Sequence, residues 1–215
     1  INKLDRERAD FSRVFQETVE IFKPKPIILQ LPIGTEAEFR GVVDLISGQA
    51  FEFGENGKAK KIEIPADMQE SVDTEKENLI ENIAEADDEL VERYLEGEAL
   101  TEQELAAALR KGTLARIFVP VVCGSATRNI GIDLLMNLIV DALPSPADQG
   151  AKIGIDPATE KEVERMPDPA APFSGFVIKT VADPYAGRLT FFKVVSGTLG
   201  TDGTFYNANK ETKER

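Results

Sequence analysis

Two short stretches of the sequence carry residue types that suit the recognition of a nucleobase. Residues 2–5 read NKLD, and residues 124–126 read GSA after an apolar run. A carboxylate such as that of Asp5 can accept two adjacent hydrogen bonds, and such charge-assisted pairs are strong and directional. Guanine offers two adjacent donors, N1–H and the N2 amino group, whereas adenine has no donor at N1. A site built on such a pattern discriminates by about 10⁴-fold or more, so Asp5 is a candidate for guanine selection.

The neighbouring residues have parts in the same chemistry. Lys3 could lay its methylene stem along the purine ring, and the Asn2 side chain could hold the loop in shape. The small residues Ser125 and Ala126 would let the backbone approach the base, so that the Ala126 N–H can reach guanine O6. The alternative is a polar turn that opens a helix, with Asp5 as the N-cap.

Both stretches are predicted to lie at strand-to-helix junctions. An amphipathic helix follows Asp5, and prolines at positions 24 and 26 stop it. Residues 116–126 predict a buried strand that runs into the GSA bend. A helix follows at 130–142, and its inner face is expected to include Ile139. Because α/β sheets bind ligands at the carboxyl ends of parallel strands, we expect both loops at one edge of a sheet.

The chain between the two stretches predicts strands followed by helices. The sequence GENG at 54–57 is a turn signal. From residue 65 the pattern becomes helical, and TEQE at 101–104 has the form of a capping box. The predicted strands cover residues 27–33, 39–46 and 50–53.

The C-terminal part of the chain changes character twice. Residues 144–172 contain six of the twelve prolines and predict an interdomain linker. From Phe173 the apolar period becomes two, which predicts strands with turns at DPYAG and TDG.

The net charge of −13 is concentrated in one segment. Residues 63–104 hold sixteen acids against two bases. This segment is either a solvated helical face or a docking face for a basic partner. Its repulsion of phosphate backbones argues against a nucleic-acid contact there.

Composition excludes several classes of site. Histidine is absent, which removes Ser-His and Cys-His catalysis and every His-based metal site. The single cysteine allows no internal disulfide and fits a reducing compartment, hence a cytoplasmic location. No apolar run reaches the length of a membrane span, and no secretory leader is visible. No G-x-x-x-x-G-K-[ST] loop occurs, so the sequence has no phosphate cradle of that type.

Motifs along nearly the whole chain, in the right order, resemble the bacterial elongation factor G family or a close paralogue of it. Residues 2–5 resemble the fourth sequence motif of GTPases, and residues 124–126 resemble the fifth. The other stretches that carry the resemblance are NKLDRERADF, GVVDLI, IPADM, LIENIAEADDELVERYLEGEALTEQEL, VVCGSA, LPSP and GRLTFFKVVSGTL.

The resemblance implies an α/β fold followed by an incomplete all-β barrel. Residues 1–22 and 117–146 would be the C-terminal part of a P-loop GTPase domain. Residues 23–116 would be an α+β insert subdomain, and 147–171 would be a linker. Residues 172–215 would be the N-terminal part of a β-barrel second domain.

The resemblance also implies a site and a function. Guanine would be bound by Asn2, Lys3, Asp5, Ser125 and Ala126, with no catalytic residue and no metal ligand in this chain. GTP or GDP would bind in the full-length protein together with Mg²⁺, which absent residues would hold. The protein would then be a GTPase that drives tRNA–mRNA translocation on the ribosome, while this fragment alone is expected to be inactive and to hold no nucleotide tightly.

The resemblance also implies binding partners, and it leaves several alternative functions open. The acidic insert would face the ribosomal stalk protein, and the barrel domain would face small-subunit rRNA. Exposed strand edges in residues 173–208 predict self-association, and no membrane contact is expected. A ribosome-protection factor, a release-factor GTPase and a non-translocating paralogue are rivals of the same class. An acidic protein-interaction module without a nucleotide role is a rival of another class.

Overall fold

The computed structural model describes residues 1–54 and 57–215 and divides the chain into two compact units. The first unit is Ile1–Leu143 and the second is Pro144–Arg215. Two residues of the turn predicted at 54–57, Glu55 and Asn56, lie outside the described residues.

The first unit mixes helices and strands. In chain order its elements are α1 (Phe11–Ile21), β1 (Lys25–Ile28), β2 (Gln30–Ile33), β3 (Gly41–Asp44), β4 (Gln49–Phe53), β5 (Ala59–Ile62), α2 (Gln69–Ala84), α3 (Asp88–Leu95), α4 (Glu102–Leu114), β6 (Phe118–Val121) and α5 (Ile132–Ala142).

Strands β1 and β6 form a parallel pair, in which Lys25 lies opposite Phe118 and Ile28 opposite Val121. The other four strands form an antiparallel sheet in the order β2-β3-β4-β5. The prediction of one strand over 27–33 is therefore wrong, because the chain changes sheets at Leu29. The Leu29 N–H donates to the Val121 carbonyl, and the Leu29 carbonyl accepts from Leu45 N–H.

Strand β5 has no counterpart in the sequence-based expectation. Three of its four residues are exposed, and two of them are lysines. Charged residues are typical of an edge strand, where they discourage pairing with another chain, but they leave no alternating apolar pattern. β5 is the last strand of the four-stranded sheet.

Helices α2, α3 and α4 share an apolar core with the antiparallel sheet. The apolar residues from position 68 onward predict one helix face, of which Val72, Leu79 and Ile83 are buried in that core on α2, while Met68 lies just before the helix and is half-buried against the same core. The capping box of α4 is also confirmed, because the Thr101 and Glu104 side chains each accept from the other's backbone N–H. The expectation for Ile139 on α5 is wrong, since its side chain is exposed.

The second unit is built of antiparallel pairs. Its strands are β7 (Lys152–Ile155), β8 (Glu162–Arg165), β9 (Ser174–Asp183), β10 (Gly187–Ser196), β11 (Phe205–Asn207) and β12 (Thr212–Glu214), which pair β7 with β8, β9 with β10 and β11 with β12. The segment predicted as a linker thus carries the β7–β8 hairpin. These pairs do not close into a barrel within the residues described.

No helix in the described residues combines the length and the apolar character needed to cross a membrane.

Candidate functional site

Backbone hydrogen bonds bring the two candidate stretches together. The Gly124 N–H donates to the Ile1 carbonyl over 3.0 Å, and the Leu4 N–H donates to the Gly124 carbonyl over 3.4 Å. The backbone nitrogen of Ile1 donates to the Val122 carbonyl over 2.7 Å. The first four residues therefore run alongside the chain that leaves β6, and Asp5 and Ser125 become neighbours.

Asn2 links the two loops through its side chain. Its Oδ1 accepts from the Lys3 N–H at 2.7 Å and from the Ala126 N–H at 3.0 Å. The first bond holds the Asn-Lys turn, and the second ties that turn to the bend at 124–126. The Ala126 N–H is thus engaged with Asn2 in this structure. To reach the O6 of a guanine, it would have to share this bond or exchange it.

The carboxylate of Asp5 lies beside Ser125, and one of its oxygens is buried. Its side chain is 10% exposed, and Oδ2 lies 3.9 Å from Arg6 Nε. Oδ1 is buried without a hydrogen-bond partner among the described residues. A buried polar atom of this kind calls for an explanation, since native structures leave few of them unpaired.

The surroundings of Asp5 keep its carboxylate charged. The Ser125 hydroxyl is the largest cause that lowers the pKa of Asp5 below its ordinary value, and burial opposes it. The Asp5 backbone N–H and the positive charges of Arg6 and Arg128 lower this pKa further. At neutral pH both carboxylate oxygens can therefore accept hydrogen bonds, which the recognition of two adjacent donors requires.

Asp5 is not the N-cap of the first helix. Helix α1 begins at Phe11, and Asp10 caps it by accepting from the Arg13 N–H at 2.9 Å. The reading of residues 2–5 as a turn whose acid caps the helix is therefore wrong, because a turn formed by residues 6–9 separates the two.

Lys3 is exposed and adopts a left-handed backbone conformation, with φ of 67°. This region is costly for a residue with a Cβ and is usually taken by glycine or asparagine. The Lys3 carbonyl accepts from the Arg6 N–H at 3.1 Å, which closes the turn around it. Its stem is free of the core and so is available to a flat ligand beside Asp5.

The bend at 124–126 depends on a close backbone approach. A Cβ on Gly124 would lie 2.5 Å from the Ile130 carbonyl oxygen. Ser125 and Ile130 exchange two backbone hydrogen bonds, of 3.0 and 2.9 Å, and Ser125 is fully buried. Its hydroxyl lies 3.3 Å from the Thr127 hydroxyl and accepts from the Arg128 N–H. Only glycine at position 124 leaves room for this closure.

One apolar cluster supports both loops. Its buried members are Leu4, Phe11, Phe39, Val42, Phe53, Cys123 and Ile130. Leu4 anchors the first loop and Ile130 the second, while Phe39, Val42 and Phe53 come from the antiparallel sheet and its connections. Burial raises the pKa of the Cys123 thiol to about 12, so this cysteine is an unreactive core residue.

Sequence reasoning missed two side chains that contact these loops. Glu36 accepts from the Arg8 backbone N–H at 2.8 Å, and Arg128 donates to the carbonyls of Ala37 and Phe39 at 3.3 and 3.0 Å. These partners are 28 to 91 residues apart in the chain. No local motif signals them, since each contact exists only once the sheet has folded against the loops.

The acidic helices carry ion pairs and no metal site. Arg93 pairs with Glu98 at 2.8 Å and with Glu104 at 2.5 Å, and Lys111 pairs with Asp87 at 2.7 Å. The Arg93–Glu104 and Lys111–Asp87 pairs border a cavity of about 270 Å³ between α3 and α4. Among the residues described, no three acidic, cysteine or histidine side chains are placed to hold a metal ion.

The chain is similar along its whole length to two curated proteins. Elongation factor G from Aquifex pyrophilus is 44% identical over 218 residues, which cover 100% of this chain and 31% of that protein. Elongation factor G from Neorickettsia sennetsu (strain ATCC VR-367 / Miyayama) is 44% identical over 220 residues, with the same two coverages. The chain therefore spans 31% of the length of these curated relatives.

A family description and a solved structure agree with these relatives. Residues 172–215 match the family "Elongation factor G domain 2". The crystal structure of ttk003000868 from Thermus thermophilus has a TM-score of 0.69 and 26% identity, and the match covers 91% of this chain and 26% of that one. The resemblance to elongation factor G and the fold class of a mixed α and β unit followed by an open β unit are confirmed.

Proposed function

We propose that this chain, which is related to elongation factor G over its whole length, supplies the guanine-selecting part of a translational GTPase. The observation that carries the proposal is the buried, unpartnered Oδ1 of Asp5 beside the bend at 124–126. An ionised carboxylate is the acceptor that the N1–H and N2 amino group of guanine require.

The other site residues would complete the recognition of the base. Lys3 would cover one face of the ring with its methylene stem. The Ala126 N–H would turn from Asn2 to the O6 of guanine, or serve both acceptors. Asn2 would keep the two loops in register, and the small Ser125 would let the backbone come close. Adenine would present a lone pair to Asp5 at N1, so the site would reject it.

The chemistry of the phosphates lies with other residues. Bound GTP with Mg²⁺ would supply the phosphoryl group whose transfer powers the protein. No G-x-x-x-x-G-K-[ST] loop occurs in these 215 residues. We therefore expect the chain by itself to bind guanine weakly and not to hydrolyse GTP, because much nucleotide affinity comes from contacts to the phosphates.

The whole protein would act on the ribosome in the cytoplasm, moving tRNA and mRNA. The acidic helices α2, α3 and α4 would meet the ribosomal stalk protein, and the second unit would meet small-subunit rRNA. The concentration of sixteen acids in residues 63–104 supports a protein partner rather than RNA for that segment. An interaction module without a nucleotide role gives no reason for Asn2, Asp5 and the bend at 124–126 to lie together, which makes that rival the weaker reading.

The test is a nucleotide titration of the 215-residue chain, followed by backbone-amide NMR. We expect guanosine 5′-monophosphate (GMP) to shift the amide resonances of residues 2–5 and 124–126, and adenosine 5′-monophosphate (AMP) to leave them nearly unchanged. Asp5→Asn should lose GMP binding and gain binding of xanthosine monophosphate, because an amide can donate to the carbonyl at position 2 of xanthine.

Glu7→Gln is the matched control, since it removes one negative charge from an exposed residue in the turn that follows Asp5. It should keep the preference for GMP. Equal shifts with GMP and AMP, or intact GMP binding in Asp5→Asn, would count against the proposed site.

A further inference from the structure

We infer that the segment 36–39, which lies within the connection between β2 and β3, positions both base-reading loops, and that Arg128 and Glu36 are the positioning residues. The inference rests on the proposed function, because it assigns these residues a part in the same guanine site. Both side chains make their hydrogen bonds to backbone groups, and neither is placed in contact with the base. Residues 36–38 form a 3₁₀ turn, and Phe39 follows it.

Arg128 ties the bend at 124–126 to this segment. Its Nη1 donates to the Phe39 carbonyl at 3.0 Å and to the Ala37 carbonyl at 3.3 Å. Its backbone N–H donates to the Ser125 hydroxyl at 3.3 Å, and this hydroxyl borders Asp5. A guanidinium stays charged at any physiological pH, and charged donors make the stronger hydrogen bonds. The position of Ser125 therefore depends on a contact made to the connection between β2 and β3.

Glu36 ties the other loop to the same segment. Its Oε1 accepts from the Arg8 N–H at 2.8 Å. Two successive turns, 3–6 and 6–9, carry the chain from the base-reading residues past Arg8, each closed by a backbone hydrogen bond of 3.1 Å. Arg8 and Glu36 have φ of 63° and 50°, in the left-handed region. Strained residues persist where the surrounding contacts determine their conformation, and here the two strained residues hold each other.

Apolar packing joins the same three pieces. Phe39 is fully buried and belongs to one cluster with Leu4 of the first loop and Ile130, which closes the second. The segment thus contacts each loop once through a charged side chain and once through this cluster. A site held in its binding geometry pays less ordering entropy when a ligand arrives, so loosening either tie should weaken base binding.

The experiment measures GMP binding to the 215-residue chain by backbone-amide NMR. We expect Arg128→Met and Glu36→Met each to raise the dissociation constant for GMP by about 3- to 10-fold. Each should also move the Ala126 amide resonance before any nucleotide is added, which reports the loop geometry directly. Arg128→Lys and Glu36→Gln keep a donor and an acceptor, so they should restore most of the affinity.

Arg13→Met is the matched control, because this exposed arginine on α1 pairs with Glu17 at 2.7 Å and takes no part in the loops. It should leave the GMP affinity and the Ala126 resonance unchanged. If both Met variants, at positions 36 and 128, keep the GMP affinity and the Ala126 resonance unchanged, the inference is overturned while the proposed function stands. If one variant fails to fold, the other variant is judged by the same two measurements. Absence of any GMP preference in the unmodified chain would overturn the proposed function and the inference with it.

Discussion

Replacing Gly124 by alanine tests whether the closed bend depends on backbone proximity. The added Cβ would meet the Ile130 carbonyl oxygen at 2.5 Å. A carbon and a carbonyl oxygen in favourable contact are about 3.3 Å apart or more, so the backbone segments at Gly124 and Ile130 must separate by about 0.8 Å. That displacement would stretch both Ser125–Ile130 hydrogen bonds, now 3.0 and 2.9 Å, beyond the range of good geometry.

The size of the effect follows from these two bonds. Each hydrogen bond contributes about 0.5–1.5 kcal/mol net, so losing both costs about 1–3 kcal/mol. Keeping them instead would leave a steric overlap of similar cost, about 1–3 kcal/mol. We therefore expect Gly124→Ala to lower the free energy of unfolding of the first unit by about 1–3 kcal/mol. GMP-induced shifts at Ala126 should fall at the same time.

Urea unfolding followed by far-ultraviolet circular dichroism measures this change. All five described α-helices belong to the first unit, so the helical signal reports that unit. Gly200→Ala is the matched control, because a Cβ there meets nothing within 4 Å. Its stability should be unchanged or slightly higher. A Gly124→Ala variant within about 0.5 kcal/mol of the unmodified chain would refute the reasoning, because surface substitutions away from such features have effects of that size.

The remaining predictions concern strain, pH, thiol reactivity and association. Lys3→Gly should leave stability unchanged or raise it by up to about 1 kcal/mol, because glycine tolerates the left-handed φ, while GMP binding weakens; urea unfolding and NMR titration measure the two effects. Arg93 lowers the pKa of Glu104 to about 2, so the stability that this pair contributes is complete above pH 4.5 and is lost as pH falls towards 2. Acid unfolding of Glu104→Gln should lack that dependence, and an unaltered acid limb would contradict the assignment. Cys123 should react with a thiol reagent only as the first unit unfolds, and rapid labelling in buffer would contradict its burial. The second unit should self-associate through β9 and β10, where Phe176 is 70% exposed; a monomeric mass by light scattering at high concentration would speak against this.

Local signals predict those elements whose cause lies within a few residues. The capping box at 101–104 needs only two side chains and two backbone N–H groups of the same turn. The stripe of α2 repeats along one helix face that packs on the sheet. The break at Leu29 has no such local cause. The apolar run around Leu29 predicts one continuous strand. The strand is divided because the Leu29 N–H bonds to Val121 beside one sheet, whereas the Leu29 carbonyl bonds to Leu45 beside the other.

The residues of the candidate site also fall into two groups, those that the local sequence predicts and those that it does not. Asn2, Lys3, Asp5, Ser125 and Ala126 are predictable as a group because each has a side chain or backbone group suited to one purine, and the structure brings them together. The residues that hold the loops in place carry no comparable signal.

Those supports leave no trace in the sequence because they contribute position rather than recognition chemistry. A glutamate accepting from a distant backbone N–H, or an arginine donating to two distant carbonyls, looks like any other charged surface residue in the sequence. Their partners are fixed by how the antiparallel sheet packs under the loops, which local patterns do not encode. We therefore expect a substitution in segment 36–39 to weaken base binding indirectly, by altering how the sheet and its connection support the loops. No residue of the segment belongs to either base-reading stretch.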